Sequence, residues 1–146
     1  MTKSSLMQSI LSNQSEAAEA ALTKFLASDK VRINDLAELS MQFFGMGEFN
    51  RAIKVFARWT ELTPTNPEPW TNLGLCLVRI RKIHEARIML EHALEVDPDY
   101  LPALVNLGEV YQELGDSDLQ LKISLTAVSK HPKSPLAFNN LGSALV

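Results

Sequence analysis

Apolar residues in this chain recur three and four apart, the spacing of helices that bury one face, and not at the alternation expected of strands. The pattern predicts helices over 33–45, 48–62, 67–80, 83–96, 101–114, 117–130 and 135–146. Punctuation residues mark their ends. Asn66-Pro67 and Ser134-Pro135 each place a capping side chain before a proline at the first helical position, where a missing N–H costs nothing. Pro64, Pro98 and Pro132 close the second helix of each pair, because proline cannot continue it. Gly47 and Gly115 sit in the tight turns between paired helices; Arg81 stands at the third such place, so a different turn geometry is expected there. Ahead of these helices, Leu6, Met7, Ile10 and Leu11 share one helical face and Ala18, Ala21, Leu22, Phe25 and Leu26 another, with Ser15 as the expected start of the second.

The pattern also repeats. From Trp70 the chain reads Trp70, Leu73, Gly74, Leu77, Ala86, Leu90, Ala93, Pro98. Leu104, Leu107, Gly108, Tyr111, Ala127 and Pro132 occupy the same places 34 residues on, and Phe138, Leu141, Gly142 and Leu145 begin another copy. Upstream stand Leu36, Leu39, Phe43, Ala52, Phe56 and Pro64, with Ser40 for the glycine and Trp59 for the second small residue. The third copy is the least regular, with Gln120 and Ser124 where an alanine and a large apolar residue are expected. This register resembles the tetratricopeptide repeat (TPR), a 34-residue helix–turn–helix unit. The resemblance implies an all-α solenoid, a right-handed superhelix of antiparallel helix pairs. Its expected parts are an N-terminal helical cap over 1–32, repeats over 33–66, 67–100 and 101–134, and over 135–146 the first helix of a truncated fourth repeat or a capping helix. The mid-helix glycines Gly74, Gly108 and Gly142 each cost about 1 kcal/mol against alanine, which close packing on Ala52, Ala86 and Ala93 is expected to offset.

Composition narrows the function classes. An apolar content of 46% with 21% charged residues is that of an ordinary soluble globular chain. A net charge of -3 favours neither nucleic acid nor an anionic membrane surface, and no apolar stretch reaches the length of a membrane span. The one cysteine, Cys76, has no internal disulfide partner, which points to a reducing, cytoplasmic setting. Catalytic and metal signals are poor. His84, His92 and His131 form no metal-binding spacing, and Glu109, Glu113, Asp116 and Asp118 read as solvated helix surface and turn caps. The expectation is a non-enzymatic chain without cofactor or metal. Asn13-Gln14-Ser15 fits a glycosylation sequon, an accidental match in a non-secreted chain.

The TPR resemblance implies a concave wall built from the first helix of every pair, and that wall is the expected binding surface for a protein or peptide. Asn72, Asn106 and Asn140 stand at equivalent places that project into such a groove, with Glu38 in the first copy. A primary amide pairs with a backbone N–H and C=O whatever the ligand's side chain, so the three form an expected ladder along an extended peptide. Thr71, Leu75, Arg79, Glu109, Asn139 and Met41 are expected to bias side-chain choice, and Glu38, Glu68, Glu109 and Glu113 against Arg79 make the wall slightly acidic. An asparagine ladder of this kind resembles the groove of the O-linked N-acetylglucosamine transferases and their Spindly-type relatives, which implies the N-terminal arm of a larger protein. Chaperone adaptors that grip a C-terminal carboxylate use lysine, asparagine and basic residues where Ala37, Met41, Pro102 and Asn106 stand, so only Asn72 fits that mode. The alternatives are a stand-alone adaptor resembling the type III secretion translocator chaperones, with Met41, Phe44, Leu75 and Val78 as apolar pockets, or an architectural module that self-associates through the N-terminal segment or the open C-terminal end.

Overall fold

A computed structural model describes residues 3–12 and 16–146. Ser15 and the Asn13-Gln14-Ser15 sequence lie outside the described residues. Among those described, the chain is helical throughout: α1 (Lys3–Ser12), α2 (Glu16–Ala27), α3 (Ile33–Gly45), α4 (Phe49–Leu62), α5 (Pro67–Arg79), α6 (Ile83–Val96), α7 (Leu101–Leu114), α8 (Ser117–Lys130) and α9 (Pro135–Ala144). The caps act as their sequence demands. Asn66 Oδ1 accepts from the Glu68 N–H at 3.0 Å, and Ser134 Oγ accepts from the Ala137 N–H at 3.3 Å. Each occupies one of the helix-start donors that has no intrahelical partner.

Consecutive helices pack as antiparallel pairs, α3 on α4, α5 on α6 and α7 on α8, and each pair stacks on the next. The result is an all-α solenoid. Three first helices also touch one another directly, α5 against α7 and α7 against α9, so these three make a continuous inner wall. One large core runs from Met7 and Ile10 through Phe43, Phe56 and Leu77 to Tyr111; a smaller one joins Leu104, Ala127 and Ala137. Burying a side chain such as Phe43 or Phe56 is worth up to about 3 kcal/mol before its entropy cost.

The two N-terminal helices are tied into that core. Arg51, nearly buried on α4, binds the Glu19 carboxylate of α2 through Nε and donates from Nη1 to the Ile10 carbonyl of α1 at 3.2 Å. Its guanidinium also lies 5.8 Å from the Phe43 ring centroid. A desolvated charge held this way is stable only while every partner is present.

Two expectations need correction. Arg81 does not change its turn: it adopts the left-handed conformation, φ +66°, beside Gly47 at +76° and Gly115 at +74°. All three turns make the same pair of bonds. Lys82 N–H reaches the Leu77 carbonyl at 2.8 Å and Arg81 N–H the Val78 carbonyl at 3.0 Å, as Glu48 and Gly47 or Asp116 and Gly115 do in theirs. Satisfying the end-of-helix carbonyls outweighs the Cβ strain. The expected close packing of the paired helix, secondly, holds at Gly74 but not at Gly142, where an added Cβ would meet nothing within 4 Å, and at Gly108 the nearest atoms belong to another helix. A Cβ on Gly74 would lie 2.8 Å from Leu90 Cγ on α6, as expected of paired helices, whereas one on Gly108 would strike the Asn140 amide of α9 at 2.8 Å. The reason is Ser124, which stands where Leu90 stands one repeat earlier and is too short to fill the approach.

Gln120 and Ser124 are buried, and among the described residues neither Gln120 Nε2 nor Ser124 Oγ has a hydrogen-bond partner. Replacing Gln120 with methionine removes an unsatisfied buried amide at nearly constant volume, so urea denaturation is expected to gain about 1–3 kcal/mol; a loss would mean that the amide is partnered in solution. Arg81→Gly relieves the left-handed strain and forfeits only a surface pair with Glu113. It is expected to stabilise the chain by about 1 kcal/mol in the same assay, and destabilisation would place the Glu113 contact above the backbone term.

Candidate functional site

The inner wall opens into a cleft of about 560 Å³ between α7 and α9. Val105, Glu109, Gln112 and Glu113 line one side, and Leu136, Asn139, Asn140 and Ser143 the other. Helical periodicity puts them there. Val105, Glu109 and Gln112, and Leu136, Asn139, Asn140 and Ser143, lie three or four apart on their helices and so share a face. Two carboxylates, three amides and a hydroxyl share this surface with the apolar Val105 and Leu136, so it offers acceptors, amide donors and apolar area together. Glu113 is held at the rim by Arg81, Oε2 to Nη2 at 3.1 Å.

The structure brings Glu109, Asn139 and Asn140 together in that cleft, but it splits the asparagine ladder. Asn140 is only 7% exposed, and its Nδ2 donates to the Val105 carbonyl at 2.8 Å. It clips α9 to α7 while lining the cleft with one edge. Asn106 Nδ2 donates to the Pro102 carbonyl one turn back at 2.6 Å, which commits one of its two amide hydrogens to its own helix. Asn72 is half-buried on α5. Thr71 is withdrawn: it is 1% exposed, with its hydroxyl on the Pro67 carbonyl at 2.9 Å, and so offers nothing to the wall. Leu75 is half-buried; Glu38, Met41 and Arg79 are exposed. The Arg79 guanidinium sits 5.8 Å from the Phe44 ring centroid, covering an apolar place beside Met41. Sequence reasoning missed Val105, Leu136, Gln112 and Ser143 as cleft residues; the last two are polar. Both follow from Glu109 and Asn139 by a helical step of three or four, the signal that would have found them.

The remaining chemistry-bearing groups are accounted for by packing. Among the described residues no cluster of three or more histidine, cysteine, aspartate or glutamate side chains is placed to hold a metal ion. His92 is not simply solvated: its ring lies 3.9 Å from the Trp70 ring centroid, and Nδ1 faces Glu95 at 3.4 Å. Trp70 Nε1 donates to the Pro64 carbonyl at 3.1 Å, pinning the inter-repeat turn. Cys76 is fully buried, and that burial pushes its thiol up to about 12, so it behaves as a small apolar residue. No helix among the described residues is long and apolar enough to cross a membrane.

Family models of the tetratricopeptide repeat match residues 67–100 and 89–122, and solved TPR solenoids superpose on most of the chain. Residues 67–122 are thereby tetratricopeptide repeats, and the chain shares the TPR solenoid fold. The BBSome complex member bbs-4 of Caenorhabditis elegans is 27% identical over 92% of the chain and 29% of its own length. Its Bos taurus counterpart BBS4 is 29% identical over 68% of the chain and 19% of its own length, and Protein NPGR1 of Arabidopsis thaliana is 28% identical over 97% and 20%. The chain thus spans less than a third of the length of these relatives. Among solved structures, MamA superposes with a TM-score of 0.73 at 26% identity, covering 87% of this chain and 74% of that one. The first TPR of Spaghetti (RPAP3), bound to the HSP90 peptide SRMEEVD, superposes at 0.72 with 21% identity, covering 77% and 90%.

Among the described residues four ionisable groups couple folding to pH, and one of them, Tyr100, is raised by burial and then by the nearby Glu68 and Asp97 carboxylates. Burial raises Cys76 and Tyr111 to about 12 each, Tyr111 also through its hydrogen bond to Glu91 at 3.0 Å. Their stabilising contribution is complete below the unfolded values of 9.0 and 10.0 and is lost as pH rises toward about 12. Glu19 is shifted the other way, held below its ordinary 4.5 first by the Lys54 hydrogen bond and then by Arg51. Its contribution is present above that range and is lost as pH falls through the lowered value. The melting temperature is expected to fall above about pH 9 and again below about pH 4.5; a flat profile across the alkaline limb would contradict the burial of Cys76 and Tyr111.

Proposed function

We propose that this chain is a protein-interaction module that holds an extended peptide segment of neutral or basic character along its inner wall, with the α7–α9 cleft as the principal subsite. The observation that carries this reading is the cleft's lining. Glu109 and Glu113 stand among Gln112, Asn139, Asn140 and Ser143 in one concave volume. Such a surface suits the N–H donors of an extended backbone together with a lysine or arginine side chain. Asn139, exposed beside the buried Asn140, takes the backbone-clamping place in the C-terminal copy. Asn72 and Asn106 remain on the wall ahead of it. An extended strand advances about 3.3 Å per residue, so units one helix packing distance apart engage roughly every third ligand residue.

Charge sets this chain apart from peptide-bound TPR domains of the same fold. Those of human RPAP3 and Spaghetti were solved with the peptides SGPTIEEVD and SRMEEVD, both carrying an acidic C-terminal run. Here Ala37, Pro102 and Asn106 stand where adaptors that grip an acidic terminus carry basic side chains, and Glu38 and Glu109 against Arg79, with Glu113 paired to Arg81, leave the wall slightly acidic. The ligand of this chain is accordingly of reversed charge.

Fluorescence anisotropy with a labelled peptide alternating lysine and alanine tests this. It is expected to bind at least about tenfold tighter than its glutamate–alanine counterpart, with the preference weakened by salt and inverted by Glu109→Lys. Tighter binding of the acidic peptide by the wild-type chain would overturn the reading.

A further inference from the structure

The cleft side of α7 presents Val105, Glu109, Gln112 and Glu113. One repeat earlier, the last three places hold Leu75, Val78 and Arg79 on α5, and a repeat before that Met41, Phe44 and Gly45 on α3. The wall thus changes character along its length. Two carboxylates and an amide in the third repeat stand where the first two repeats carry apolar side chains and one cation.

These apolar groups are not closed into the core. Met41 is 55% exposed and Phe44, Leu75 and Val78 are half-buried, whereas Phe43 and Cys76, beside them in the chain, are fully buried. Met41 and Phe44 on one helix, and Leu75 and Val78 on the other, stand three apart and share a face. α3 and α5 meet at that face. The Arg79 guanidinium of α5 lies 5.8 Å from the Phe44 ring centroid of α3, and Phe49 meets the same ring edge-on at 5.3 Å. Arg79 is exposed and has no ion-pair partner among the described residues, so its charge faces whatever lies on the wall.

We propose that this stretch of α3 and α5 is a second, apolar subsite of the same wall, taking a bulky apolar side chain of the extended segment whose basic residues reach the α7–α9 cleft. The inference rests on the reading of that cleft as the place of the basic residues. Charge decides which part of the ligand lies where. A lysine over Arg79 is repelled and one over Glu109 is attracted, so the apolar part of the segment belongs at α3 and α5. Burial of Met41 and of the open edges of Leu75 and Val78 under that side chain supplies the affinity. The two subsites stand two units apart. At roughly 8–10 Å per unit and about 3.3 Å per extended residue, the apolar side chain lies about five or six residues from the basic ones.

The test titrates the full chain with fluorescein-labelled peptides in anisotropy: the alternating lysine–alanine parent, and two derivatives in which leucines replace the lysines of the N-terminal or of the C-terminal half. One derivative is expected to bind at least about tenfold tighter than the parent, because a leucine enters the apolar subsite and a lysine leaves Arg79. Met41→Asp, at an exposed position, is expected to abolish that gain while leaving the melting temperature in place. Glu109→Lys is expected to weaken parent and derivative alike and to preserve the gain. No gain in either order, or a gain that survives Met41→Asp, overturns the proposal. A Met41-dependent gain that persists when glutamates replace the remaining lysines supports the apolar subsite and sinks the acidic-cleft reading alone, so the two failures are distinguishable.

Discussion

The structure depends on how closely two antiparallel helices approach within each repeat. At Gly74 the backbone of α5 comes so near α6 that an added methyl would overlap Leu90 Cγ. That approach buries Leu73, Leu77, Ala86 and Leu90 together. Glycine in mid-helix is unfavourable alone and is retained because the interhelical packing it permits is worth more. The third repeat meets the same constraint differently. With Ser124 too short to fill the space opposite Gly108, the amide of Asn140 enters from the next helix and bonds the Val105 carbonyl.

That substitution links packing to function. By drawing Asn140 inward, the third repeat takes one rung from the asparagine ladder and leaves the neighbouring Asn139 on the surface, in a cleft with Glu109 and Gln112. The first helices α5, α7 and α9 touch along the solenoid, so the wall they form is set by the core behind it and not by loops. Polar groups at fixed spacing on rigid helices bind an extended segment with little reorganisation of the protein. At the other end, Arg51 draws α1 and α2 into the core through Glu19 and the Ile10 carbonyl, and the N-terminal helices become continuous with the repeats.

Much of the fold was legible because period, caps and terminators agree. The 34-residue recurrence of Pro64, Pro98 and Pro132, with Asn66 and Ser134 at helix starts, fixes the helices nearly to the residue. Arg81 was not legible, since its side chain argues against a left-handed turn and only the hydrogen bonds of the finished hairpin favour one. The site was read less well. Position in the repeat finds the wall, but Thr71 turns into its own helix and Asn140 into its neighbour, outcomes decided by what else fills the space. Repeat register therefore predicts which helix faces the groove better than which side chain does.

The central claim is that ligand contact falls on the first helices, at the acidic end of the inner wall. Amide and side-chain NMR spectra of the labelled chain, titrated with the lysine–alanine peptide, test it most directly. The account predicts perturbations concentrated at Glu109, Gln112, Asn139 and Ser143, spreading toward Asn106 and Leu75, with α4, α6 and α8 silent. Perturbations centred on the second helices would contradict it.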